Sequence, residues 1–177
     1  YGVACDKPYY ISSGKSIFQF PENSFRMDFY SLCICTSGKM TMEIDGNNYL
    51  IQQNSFLISA PSTIVHFRKF SKDFKMKLLF FEKNFLLKNI SNPFIIEKSG
   101  LFQQVSYSLL NAPAKDIEHI LTLLDYLKHK TKTHGNFIDE IIRSIIFNIL
   151  LEVAEITHRY ANEPESKDQV ISTIYLK

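Results

Sequence analysis

The sequence predicts an α+β protein, an antiparallel β-barrel or sandwich followed by a helical region, on three observations. Short apolar stretches separated by turn residues fill positions 17–82 with no helical segment between them, the arrangement of an antiparallel sheet that closes on itself or folds in two. Asp45-Gly46 between two such stretches is a strong hairpin signal, because a type I′ turn needs positive φ at both central residues. From Pro113 onward the apolar spacing changes from two to three and four, which is the period of a helix.

The elements follow in order. Residues 29–36 form a strand that Ser37-Gly38 ends. Strands 40–44 and 48–51 flank Asp45-Gly46, and Gln52-Gln53-Asn54 makes the next turn. Strand 55–59, the turn Ala60-Pro61-Ser62-Thr63 and strands 64–70 and 75–81 complete the β half, which closes a first region at 1–82. A short helix is expected over 83–88 and another over 100–106. Ile117, Ile120, Leu121, Leu124 and Leu127 then share one face of a long helix that stops at Gly135. Asn136 caps a second long helix, with Asp139 at the third position of a loose capping box, and this helix runs to about residue 160. The helical region is thus 83–160, and 161–177 reads as a polar linker and the start of a further element.

Composition narrows the function classes. A net charge of +2 gives no strong electrostatic footprint for nucleic acid. The apolar run over 141–156 is broken by Arg143, Asn148, Glu152 and Glu155, so it does not span a bilayer. No signal peptide opens the chain, and a start at Tyr1 rather than Met reads as part of a longer protein. Cys5, Cys33 and Cys35 make no disulfide framework; they read as buried free thiols of a cytoplasmic protein.

Between Phe25 and His66 the spacing resembles the metal-binding signature of cupin β-barrels, with its donors replaced. Phe25, Met27, Ser31 and Gly38 stand where His, His, Glu and Gly would, and only Pro61 and His66 survive from the second half. A divalent metal needs three or four N, O or S donors in fixed geometry, so neither a metal nor another cofactor is expected. The helix residues His119, His129, His134 and His158 form no metal-ligand pair. A cupin-type enzyme, such as an isomerase or dioxygenase, is therefore the weaker reading, and a metal-free cupin binding protein is the other alternative.

The order of a cupin-like β-barrel (double-stranded β-helix), two long helices and a polar linker resembles the N-terminal regulatory domain of AraC/XylS-type transcription factors. The matching stretches are Phe25-Arg26-Met27-Asp28-Phe29-Tyr30, Ser37-Gly38-Lys39-Met40-Thr41-Met42-Glu43-Ile44-Asp45-Gly46, Asn54-Ser55-Phe56-Leu57-Ile58-Ser59-Ala60-Pro61 with His66, and Lys77-Leu78-Leu79-Phe80-Phe81-Glu82. The resemblance implies a domain that senses a small-molecule effector, a sugar or other small metabolite, and that forms a homodimer through its helices. It also implies that DNA is read only by a C-terminal helix-turn-helix domain outside this sequence.

Two sets of site residues follow. The cupin resemblance implies that positions 25, 27 and 31 point into the barrel, and strand alternation then sends Phe25, Met27, Phe29, Ser31, Cys33 and Cys35 inward and Asp28, Tyr30, Leu32 and Ile34 outward. A ligand pocket would then be lined by Met27, Ser31 and Cys33, with His66 and Arg68 as polar contacts at one mouth. The plainer alternatives are a hydrogen-bonded strand histidine, a solvated arginine, and a barrel filled by its own side chains. On the second long helix, Ile138, Ile141, Ile142, Ile145, Ile149, Val153 and Ile156 make one broad stripe, and Phe147, Leu150, Leu151 and Ala154 a second. Either one stripe meets the barrel and the other a partner subunit, or the helix is buried among its neighbours. The resemblance implies pairing early in the helix, through Ile141, Ile142 and Ile145 with Ile149 on the same stripe, and the stripe of Leu150, Leu151 and Ala154 is the alternative.

Overall fold

The computed structural model describes residues 6–12, 21–103 and 105–161; Cys5 and the expected linker beyond 161 lie outside them. Among the described residues, strands precede and interrupt the helices: β1 (Tyr9–Ile11), β2 (Phe25–Arg26), β3 (Tyr30–Ser37), β4 (Lys39–Ile44), β5 (Asn47–Gln52), β6 (Ser55–Ser59), β7 (Ile64–Phe70), β8 (Lys75–Phe81) and β9 (Tyr107–Asn111). The helices are α1 (Lys83–Leu87), α2 (Ile95–Lys98), α3 (Ala114–Lys130) and α4 (Ile138–Ala161).

Turn chemistry fixes the hairpins. Asp45 and Gly46 take φ of 46° and 84° between β4 and β5, and Asn54 supplies the left-handed residue before β6 at 68°. Gly38 also has positive φ, 72°, and a Cβ there would sit 2.6 Å from the Phe74 Cα. The β3–β4 turn therefore packs directly on the backbone leading into β8, and only glycine fits both demands.

All strand pairs are antiparallel and fall into two sheets, of order β1-β8-β3-β6-β9 and β2-β7-β4-β5. The expected barrel is not closed. Among the described residues no backbone ladder joins the two sheets; along one seam the hydroxyls of Tyr49 on β5 and Tyr107 on β9 meet at 2.6 Å. Side chains rather than a ladder bridge that edge.

Alternation along each strand of the five-stranded sheet sorts its residues between two cores. Tyr30, Leu32, Ile34, Phe56, Ile58, Leu79 and Phe81 point to one face and join the buried residues of α1 to α4 in a single apolar cluster. Cys35, Leu57 and Met76 point to the other face and meet Met40, Met42, Ile44, Ile51 and Val65 of the four-stranded sheet. Each buried Leu, Ile or Phe contributes about 1.5–3 kcal/mol relative to an exposed one, so both layers are held chiefly by burial. Arg143 of α4 is an exception in the helical layer. It is buried, donates from Nε to the Phe85 carbonyl at 2.7 Å, and lays its guanidinium 4.7 Å from the Phe85 ring centroid.

Three local expectations need correction. The helix expected over 100–106 is absent, and α2 ends just before that stretch. Gly100, at φ 77°, is the left-handed residue that terminates α2, so it closes a helix instead of opening one. Strand β9 lies in a stretch to which the sequence assigned no element. Its five residues carry little pattern of their own, and the ladder to β6, from Ser59↔Tyr107 to Ser55↔Asn111, defines it. The first long helix ends at Lys130, before Gly135, where Thr131 donates its amide to the Leu127 carbonyl.

Candidate ligand-binding site

The two sheets enclose a cavity of about 340 Å³ on the side where the edge strands β1 and β2 lie. Its interior comes from alternate residues of neighbouring strands. Ser31 and Cys33 project from β3, Leu57 and Ser59 from β6, and Met76, Leu78 and Phe80 from β8. Across from them the four-stranded sheet contributes Phe25, Met42, Val65 and Phe67, and Met27 follows β2.

The wall is soft and almost uncharged. Ser31 and Ser59 face each other in the β3–β6 ladder, and their hydroxyls are hydrogen-bonded to one another at 2.5 Å, both buried. This satisfies one partner each and leaves acceptor capacity facing the cavity. Burial pushes the Cys33 thiol up to about 12, partly offset by the Ser31 hydroxyl, and the Cys35 thiol up to about 11. Both sulfurs are neutral thiols at physiological pH. Cys33 opens onto the cavity, whereas Cys35 is buried behind it and donates to the Ser37 carbonyl at 3.3 Å. Charge is confined to exposed lining residues: Lys7, Arg26 and Asp28. Arg26 donates from Nη1 to the Ser62 carbonyl at 3.3 Å, and the Lys7 ammonium lies 5.9 Å from the Tyr9 ring centroid.

The structure brings Met27, Ser31 and Cys33 together in this cavity. It does not bring His66 and Arg68 there. His66 donates from Nε2 to the Glu22 carbonyl at 2.9 Å, and Arg68 forms an ion pair with Glu43. Their neighbours Val65 and Phe67 are the inward residues of β7. The physical reason is visible in the strand itself: apolar residues at 65 and 67 alternate with polar ones at 66 and 68, and burial favours the apolar set. A register shift in the β4–β7 ladder leaves Arg68 as the extra residue between the Lys69 and Phe67 pairings, so it is doubly displaced from the cavity. The sequence reading also missed Met42, Leu57, Ser59, Met76 and Phe80, for which strand parity was the available signal. Among the described residues no group of three or more His, Cys, Asp or Glu side chains is placed to hold a metal ion.

On α4 the proposed partner-facing residues separate. Ile142, Ile145 and Ile149 are buried in the chain's own helical core, together with Ile146, Leu150 and Val153. α1 and α3 pack against α4, and these side chains belong to the same buried cluster as the helical face of the five-stranded sheet. Ile141 and Leu151 are only partly buried, and Ser144 and Asn148 between them are exposed. Phe137, one residue before α4, is 72% exposed.

No protein-family model and no curated protein matches this sequence. Solved structures do. An apo K231A form of ToxT from Vibrio cholerae strain SCE256 superposes with a TM-score of 0.50 at 10% identity, over 88% of this chain and 58% of that one. The AraC-like transcriptional activator CuxR gives 0.46 at 15% identity, over 83% and 58%. Wild-type ToxT bound to an unsaturated fatty acid gives 0.46 at 10% identity, over 86% and 54%. The chain therefore spans somewhat more than half the length of these neighbours. They are AraC-like regulators, and the likeness, at such identity, is one of fold: a two-layered β-structure with C-terminal helices, as in their ligand-binding N-terminal domains. No helix among the described residues is long and apolar enough to cross a membrane.

Proposed function

We propose that this chain is the effector-sensing and dimerisation region of an AraC-type transcriptional regulator, with DNA read by another region of the whole protein. The observation that carries the reading is the apolar cavity between the two sheets, in a fold shared with such regulators. The effector is a small, mainly apolar molecule with one polar or anionic end. It is not a sugar, because a sugar would leave many hydroxyls facing Met27, Met42, Met76, Phe25 and Phe67 without partners. The solved ToxT that carries an unsaturated fatty acid is a precedent for an amphipathic ligand in this fold.

The homodimer forms through the outward side of α4. Phe137, Ile141, Ser144, Asn148 and Leu151 follow one another at spacings of four, three, four and three, which keeps them on one seam of a packed helix pair. Phe137, Ser144 and Asn148 are exposed and Ile141 and Leu151 are only partly buried, so this seam can take a partner, with Ser144 and Asn148 supplying polar contacts at its middle. The Ile142, Ile145 and Ile149 alternative is set aside because those side chains hold the core together.

The test uses the full-length regulator on its target promoter. A Cys33→Leu substitution, which fills the cavity, leaves a folded dimer whose DNA binding no longer responds to extracts that carry the effector. A cavity-filled protein that still responds contradicts the proposal. Sedimentation of this chain at micromolar concentration reads the second half of it, and a monomer overturns the dimer.

A further inference from the structure

We infer that the cavity is built for a planar aromatic carboxylate, held between ring pairs on the two sheets. The inference rests on the sensing function proposed above and names the ligand class. At the open edge each sheet presents two aromatic rings. On the five-stranded sheet Tyr10 of β1 stacks on Phe80 of β8, with centroids 6.0 Å apart and planes 24° from parallel. On the four-stranded sheet Phe25 of β2 lies against Phe67 of β7, with centroids 5.8 Å apart and planes at 37°. All four rings line the same cavity.

Behind the rings the wall is sulfur. Three of the chain's four methionines, Met27, Met42 and Met76, line the cavity with Cys33. Thioether sulfur contacts ring edges favourably, and the unbranched side chain adapts to a flat shape. Ring faces and sulfur together favour an aromatic ligand over a saturated one of equal apolar area, because offset and edge contacts between rings add to the gain from burial. A cavity of about 340 Å³ lies at the low end of small-molecule sites, about 300–1,000 Å³. One or two fused rings fit within that volume. The exposed lining charges then have a use. Arg26 follows Phe25 on β2, Lys7 precedes Tyr9, and the two cations outnumber the one carboxylate, Asp28. A ring lodged between the aromatic pairs can direct its carboxylate to this cationic side.

The experiment titrates the chain with 2-naphthoate and with decanoate, two carboxylates of similar apolar size, by calorimetry. 2-Naphthoate is expected to bind about tenfold more tightly, the gain that two ring contacts give. Phe67→Leu and Tyr10→Leu should each lower 2-naphthoate affinity several-fold and leave decanoate nearly unchanged. Tyr10 is partly exposed, so its variant keeps the comparison valid if Phe67→Leu does not fold. Arg26→Gln should weaken both ligands alike. Decanoate binding as tightly as 2-naphthoate, or leucine variants that lose both equally, overturns the aromatic assignment and leaves the effector cavity standing. If neither carboxylate binds, the cavity is not an effector site for amphipathic anions, and both readings fall.

Discussion

The two faces of the five-stranded sheet are built from the same strands and do opposite work. On β3, Leu32 and Ile34 point to the helices and are almost wholly buried, while Ser31 and Cys33, alternating with them, point to the cavity. On β8, Leu79 and Phe81 fill the helical layer while Met76, Leu78 and Phe80 line the opening. The helical face is closed by branched aliphatic and aromatic side chains at the density of a protein core. The cavity face uses hydroxyls, thiols, thioethers and rings, and leaves room. One strand thus serves both as scaffold and as site, and single-residue alternation separates the roles.

Substitutions in the helical layer should be the most damaging. Ile149→Glu buries an unpaired carboxylate in the apolar cluster that holds Ile146 and Val153 and should abolish folding, seen as loss of the cooperative thermal transition. Ile141→Glu or Leu151→Glu on the same helix should leave a folded monomer, read by sedimentation. If both classes unfold alike, the distinction between the buried and outward sides of α4 is wrong.

A milder break comes from truncation on β3. Ile34→Ala should cost about 2–5 kcal/mol in urea unfolding, because the packed layer cannot collapse around the lost atoms. Cys33→Ala, one residue away, borders space that already exists and should cost less than half as much. Equal costs would mean that the cavity closes in solution.

How much of this was legible in the sequence depended on which signal each residue carried. Alternation along 29–36 placed Ser31 and Cys33 inward and Leu32 and Ile34 outward, and the structure agrees. The same rule applied to 64–70 would have turned Val65 and Phe67 inward. The cupin-like spacing from Pro61 to His66, with Arg68 at the same parity, pointed the other way, and the structure keeps both side chains out of the cavity. Neither β9 nor the open seam was readable, since both depend on which strands meet. On α4 the sequence left the broad isoleucine stripe open between a partner subunit and the chain's own neighbours, and only the packing against α1 and α3 shows Ile142, Ile145 and Ile149 buried within the chain.

A further effect concerns pH. Burial holds the Cys33 and Cys35 thiols at about 12 and about 11, above the ordinary thiol range near 8.5. Above that range the unfolded chain releases protons that the folded chain keeps. Their contribution is therefore complete below about pH 8.5 and is lost as pH climbs toward the folded values. The urea midpoint should fall between pH 8.5 and 10.5 by this account, and Cys33→Ala should flatten the fall. A midpoint that stays level in the unsubstituted protein would mean that the thiols are open to water.

The central claim, that the space between the sheets is a ligand site, has an internal control in the four methionines. Met27, Met42 and Met76 line the cavity, whereas Met40 is buried in the same core without lining it. Methyl-labelled methionine gives one NMR signal for each. Titration with 2-naphthoate should move the Met27, Met42 and Met76 signals together, in a saturable way, and leave Met40 nearly still. Saturable binding in which Met40 moves as far as the other three, or in which none of them moves, would contradict the account.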